Sequence, residues 1–208
     1  MRALKTAVAI AVLSSLFCAK KQTVKAPVGD QLLWASEKPR PQWAYAEPFA
    51  SEGTQFFVGM SHKYADEKSS RDDAERDSRL RAVRYLETAA KETFERIVSE
   101  LGLAGGVFNP SVASRGYAEM ISQAVIQNTK VIKLYSEQWK SASTGEVYYL
   151  NFAKLIVPDD QVMESFKDYT NRKQKEWGMA KDQIDRVNDV FHEHWESKKA
   201  EQELKGKK

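Results

Sequence analysis

Leu80, Val83, Leu86, Ala90, Phe94, Ile97 and Leu101 recur at steps of three and four. That is the helix period, and it gathers the seven side chains on one stripe that must be buried against a sheet or another helix. Arg76, Arg79, Arg84, Lys91 and Arg96 mix with acids on the remaining faces. Ser69 or Ser70 can cap the start, where Asp72, Asp73 and Glu75 suit the positive end of the helix, and Gly102 is placed to end it.

The flanking segments supply the surface this helix needs. Residues 55–61 (QFFVGMS) form a short aromatic run that reads as a strand, with Gly59 marking a bulge or a close backbone approach. A loop, GLAGGVFNPSV, and a weaker helical segment from Ser114 to Gln127 follow the helix. From Thr129 to Lys140 the residues alternate, with Val131, Lys133, Tyr135, Glu137 and Trp139 on one face and Ile132, Leu134, Ser136 and Gln138 on the other. Ser141 to Gly145 suits a hairpin turn, and Glu146 to Val157 returns as a strand rich in β-formers, stopped by Pro158. The expected fold is α+β, an amphipathic helix packed on a small antiparallel sheet.

After Pro158, helical spacing resumes. Met163, Phe166, Trp177, Ala180, Ile184, Val187, Phe191 and Trp195 fit one long helix to about Lys199, weakened in the middle by Gly178 and followed by a solvated tail. Such a narrow aromatic stripe either packs on its own domain or meets a partner helix.

The amino terminus has a different character. Arg2 and Lys5 precede an apolar run, Thr6 to Phe17, too short to span a bilayer, which takes about 20 apolar residues. It ends at Cys18, the only cysteine in the chain. This arrangement is that of a bacterial lipoprotein signal, cut before an acylated Cys18. Phe17 beside the scissile bond is wider than such a site prefers. Cleavage near Ala19 with loss of Cys18, or an uncleaved anchor, are the alternatives. The expected organisation is a signal peptide over 1–17, a lipid-anchored flexible tether over 18–40, an α+β domain over 41–158, and the long helix with its tail over 159–208. Pro27 and Gly29 make the tether read as polar and aperiodic, Pro39, Pro41 and Pro48 keep the chain extended around Trp43, and Trp34 and Trp43 read as docking onto the domain edge, with ligand stacking the alternative.

The charge balance excludes one class of partner. The 32 basic and 29 acidic residues give +3, and without Arg2 and Lys5 the balance is 30 to 29, or about +1. An evenly mixed, nearly neutral chain lacks the concentrated basic face of a nucleic-acid binder. Chemistry is equally sparse. His192 and His194 are two apart and point to different sides of a helix, whereas a metal pair needs three or four. There is no phosphate loop with its lysine, and no Gly-x-Ser-x-Gly elbow. No catalytic residue, metal ligand or cofactor is expected. The aromatic residues are the candidates for partner contact: Trp139 and Tyr148 on the hairpin, and Trp177, Phe191 and Trp195 on the last helix. The alternative for Trp139 is packing at the edge of the core.

Several short motifs resemble the LPP-twenty family of bacterial outer-membrane lipoproteins: PQW at 41–43, FFVGMS at 56–61, the helix opening ERDSRLRAVRYLETAAKE, and the hairpin ending VYYLNFAKLIV. The resemblance covers roughly residues 40–158 and implies a strand-helix-strand-strand module. It also implies a lipid-anchored protein of the cell envelope, at the outer membrane, with binding or structural roles and no catalytic residues to carry over. The functional expectation is a non-enzymatic envelope lipoprotein. It would be held to the membrane through Cys18 and would engage other envelope proteins or itself. A surface adhesin or cell-wall binder is the alternative.

Overall fold

The computed structural model describes residues 29–45, 49–51, 53–101, 108–124, 126 and 129–206. The signal run, Cys18 and most of the tether lie outside the described residues. Five strands form one antiparallel sheet: β1 (Gln31–Ala35), β2 (Phe49–Ser51), β3 (Thr54–Met60), β4 (Val131–Lys140) and β5 (Val147–Pro158), in the order β1-β4-β5-β3-β2. Four helices accompany it: α1 (Glu67–Leu101), α2 (Pro110–Ala124), α3 (Asp159–Trp177) and α4 (Lys181–Gly206). The α+β class expected from the sequence is the one observed.

Helix α1 lies along β3 and β5, with α2 and α4 packed against it. Its buried face is Ala82, Leu86, Ala89, Ala90, Phe94 and Ile97, while Leu80, which the spacing places on the stripe, is 43% exposed. Asp66 caps the helix rather than Ser69 or Ser70: its Oδ1 accepts the Ser69 N–H at 2.8 Å. Asn109 does the same for α2, accepting from Ser111 at 3.0 Å, and Pro110 occupies the first helical position. The main core joins the inner face of the sheet (Phe57, Leu155, Val157) to all four helices. Val131 also packs against this core, although strict alternation groups it with Lys133. A register shift between Val131 and Lys133 turns it inward.

Two expectations change. The long helix after Pro158 is two helices. Gly178 takes a left-handed conformation (φ 62°) and its N–H caps the last turn of α3 on Lys175 O at 3.3 Å. The break lets α4 fold back across α1, and α4 then runs on to Gly206 through the segment read as a tail. Nor is the region before residue 41 simply a tether. Gln31–Ala35 pairs with β4 as an edge strand, Gln31 opposite Lys140 and Ala35 opposite Glu137.

Candidate functional site

The outer face of the sheet, away from α1, is covered in part by residues 30–45, which run as β1 and then a single 3-10 turn, Gln42–Tyr45. Polar side chains fasten this strap. The Asp30 carboxylate accepts the Ala142 N–H at 2.9 Å and the Tyr148 hydroxyl at 2.7 Å, and pairs with Lys63 at 3.2 Å. The backbone and hydroxyl bonds, with Lys63, hold Asp30 below the ordinary carboxylate range, while burial and the Asp30 charge push the Tyr148 phenol up. The Ser36 N–H donates to Ser136 O at 2.9 Å, and the Ser36 Oγ accepts the Ser136 N–H at 3.0 Å.

Arg40 makes the central fastening. Its Nε donates to Glu137 Oε1 at 2.7 Å and its Nη2 to Oε2 at 2.5 Å. Oε1 also accepts the Tyr135 hydroxyl at 3.0 Å and Oε2 the Trp139 indole N–H at 2.9 Å. The guanidinium lies 4.8 Å from the Phe152 ring centroid and 5.0 Å from that of Tyr45. Burial, then the Glu137 charge, raises the Tyr135 phenol. This is a desolvated ion pair with both carboxylate oxygens doubly bonded, suited to fixing structure.

The five aromatic residues expected to meet a partner are all interior. Trp139 and Tyr148 form a small cluster with Leu150 beneath Leu32 of β1. Trp177, Phe191 and Trp195 belong to the main core: Phe191 stacks on Phe166 at 3.7 Å, Trp177 meets Phe94 edge-on at 5.7 Å, and Trp195 meets Tyr85 at 5.9 Å. A partner surface made of these side chains is therefore corrected to self-packing. The strap covers the first pair, and the turn at Gly178 folds the other three inward.

A shallow cleft of about 350 Å³ opens beside the start of α1, lined by Tyr64, Ser69, Asp72, Asp73 and Arg76. The Asp73 side chain, 5% exposed, accepts the His62 N–H at 2.8 Å and pairs with the His62 Nδ1 at 2.9 Å and with Arg76. Burial works against its charge, but these donors outweigh it and hold the carboxyl at about 2. The imidazole is oriented with its other edge in solvent. Among the described residues no nucleophile is hydrogen-bonded to it, and no three His, Cys, Asp or Glu side chains gather as a metal site. The arrangement stitches the loop after β3 to α1, aided by the Met60 N–H bond to Asp77 at 2.9 Å.

This carboxylate sets an acid dependence. Because its folded pKa lies below the ordinary 3.8, its stabilisation is present above pH 4 and is lost as pH falls toward 2, at most about 2 kcal/mol. Urea unfolding between pH 7 and 2 is expected to show that loss, and Asp73→Asn to flatten it. An unchanged pH slope in the variant would count against the assignment.

What the fold leaves open is the far side of β1. It is the last strand of the sheet, so one backbone edge is unpaired by any described strand. Leu33 and Trp34 on it are 42% and 44% exposed. At the other end of β4, beyond its pairing with β1, Ile132 and Leu134 are 44% and 41% exposed, because α1 lies over β5 and β3 rather than over this margin. From the sequence Trp34 reads as docked onto the domain edge; the structure places it on the edge strand but leaves it half-exposed beside Leu33. The uncharged run QLLWA, between Gly29 and Pro39, was the available signal for this strand. No family model matches the chain, and no curated protein or solved structure matches it significantly.

Proposed function

We propose that this chain is a non-enzymatic, lipid-anchored protein of the bacterial cell envelope, at the outer membrane, that acts as a structural or protein-interaction module. The observation that carries this reading is the apolar run with a basic start ending on the only cysteine, Cys18. The element order β3, α1, β4, β5 supports it, since the LPP-twenty resemblance implies strand, helix, strand, strand, with α2 here an addition between helix and hairpin. Among the described residues no helix is long and apolar enough to cross a membrane. Several acyl chains on one cysteine would make attachment through Cys18 lasting. The alternative, a surface adhesin or cell-wall binder, loses Trp139 as its contact residue because that side chain is 7% exposed.

The test is the state of the mature amino terminus. Cells expressing the chain and fed labelled palmitate are expected to yield labelled protein in the membrane fraction that begins at Cys18 by mass spectrometry. Cys18→Ser is expected to abolish the label and leave the signal uncut. Unlabelled wild-type protein in the aqueous fraction would overturn the anchor.

A further inference from the structure

We infer that the open edge of β1 pairs with β1 of a second copy of this chain, antiparallel, about a two-fold axis near Leu33. An open edge presents a row of unpaired N–H and C=O groups, and proteins blunt such edges with charges, proline or a covering element. The opposite edge of this sheet follows that rule: β2 is three residues long and α4 packs against it. β1 does not. Its five residues, QLLWA, carry no charge and no proline, and they expose Leu33 and Trp34. The one irregularity, a bulge between Leu32 and Trp34, sets Leu33 as an extra residue where Trp34 opposes Gln138.

Three features favour a second copy as the occupant. First, an uncharged strand meets no like-charge repulsion from its own image, and the two-fold places Leu33 beside Leu33. Second, a five-residue strand pair carrying the exposed Leu33 and Trp34 buries no more than about the 1,000 Å² at which specific interfaces begin. That is weak in solution. Two copies confined to one membrane reach a far higher effective concentration, enough for a small interface to hold. Third, the geometry permits a shared membrane. Asp30 lies three residues from Leu33, so the two Asp30 positions fall roughly 20 Å apart across the axis. Cys18 is twelve residues before Asp30, a reach of at most about 40 Å. Both anchors can therefore enter the same bilayer. The inference rests on the anchor reading for its strength, and on the strand edge for its geometry.

The full chain carrying Leu33→Cys, expressed in cells, is treated with a short bis-maleimide. The expected product is a band near twice 23.7 kDa in the membrane fraction, less the signal peptides. Val112→Cys, on α2 and 64% exposed, is the control position and is expected to give at least fivefold less. Adding Trp34→Lys to Leu33→Cys is expected to cut the band at least fivefold, with thermal unfolding unchanged. Equal crosslinking at positions 33 and 112, or a band insensitive to Trp34→Lys, would overturn the pairing. The unsubstituted chain shows whether Cys18 itself crosslinks: a free thiol there reacts, whereas an acylated or excised Cys18 gives no band, and the palmitate label tells those two apart. If that anchor fails, the Leu33→Cys comparison is repeated on purified protein at high concentration, where absence of the band refutes the pairing itself.

Discussion

Arg40→Ala is expected to cost about 3 kcal/mol and to lower the melting temperature by roughly 10 °C, at a few degrees per kcal/mol for a chain of this size. The Arg40 and Glu137 side chains are 8% and 3% exposed, so removing the guanidinium strands a carboxylate that water cannot reach. Tyr135 and Trp139 still donate to it, but neutral donors do not offset a buried charge. The geometry also separates loss of the pair from loss of packing. Arg40→Met keeps the apolar contact with Phe152 and Tyr45, and is expected to cost nearly as much as alanine. Arg40→Met with Glu137→Gln removes both charges while leaving an amide oxygen for Tyr135 and Trp139, and is expected to recover at least half the loss. A red shift in tryptophan emission should accompany the single variants, because Trp43 packs against the Tyr135–Phe152 cluster and Trp139 lies beneath β1. Melting within 2 °C of the parent for Arg40→Ala would show that the strap is held by Asp30 and Ser36 instead.

The same fastening explains which parts of the fold the sequence revealed. Elements set by local pattern were readable: the stripe of α1, the alternation along β4, the β-rich return of β5 and its stop at Pro158. Their signals repeat within a window of ten to twenty residues. The strap was not readable, because its order comes from partners far along the chain. Arg40 meets Glu137 97 residues away, and Asp30 meets Tyr148 118 residues away. Locally, residues 18–40 look like proline-bearing polar chain, and only the tertiary partners distinguish an ordered strap from a tether. The misplaced contact residues follow from the same cause. The alternation assigned Trp139 to the face of Tyr135 and Glu137 correctly, but nothing local to the hairpin announced that β1 would cover that face. Likewise the spacing of Trp177, Phe191 and Trp195 showed one apolar side. Whether that side meets a partner or its own domain depends on Gly178, which within a helical pattern reads as a weak point and in the fold is the left-handed cap that ends α3. For Trp34 the sequence suggests docking at the domain edge, but only the pairing with Gln138 shows that its segment is an edge strand that leaves Leu33 and Trp34 exposed.

Gly59→Ala is expected to be the most damaging single methyl in the protein, at about 3 kcal/mol or more, leaving little cooperative unfolding at 37 °C. The sequence marked Gly59 as a close approach, and the contact is with helix backbone. A Cβ at this position falls inside the van der Waals surfaces of the Ala74 carbonyl oxygen and the Ser78 nitrogen, and 2.8 Å from Ser78 Cα. None of these atoms can rotate away. Either α1 lifts from β3 or the strand bends, and both responses are opposed. The Met60 and His62 N–H groups are tied to Asp77 and Asp73 of the same helix turns. Just beyond, Phe57, Ala82 and Leu86 are fully buried and would lose contact with one another if the helix moved. Gly116→Ala on α2 is the informative comparison. There the added methyl meets only the end of one side chain, the Tyr169 hydroxyl. The Tyr169 bond to Ala113 O, 2.8 Å long, would be strained, but alanine regains about 1 kcal/mol of helix propensity over glycine. Urea unfolding with matched m-values should therefore rank Gly59→Ala far below Gly116→Ala. Equal stabilities for the two would mean that α1 does not rest on β3 at Gly59, and the seating of the helix on the sheet would have to be redrawn.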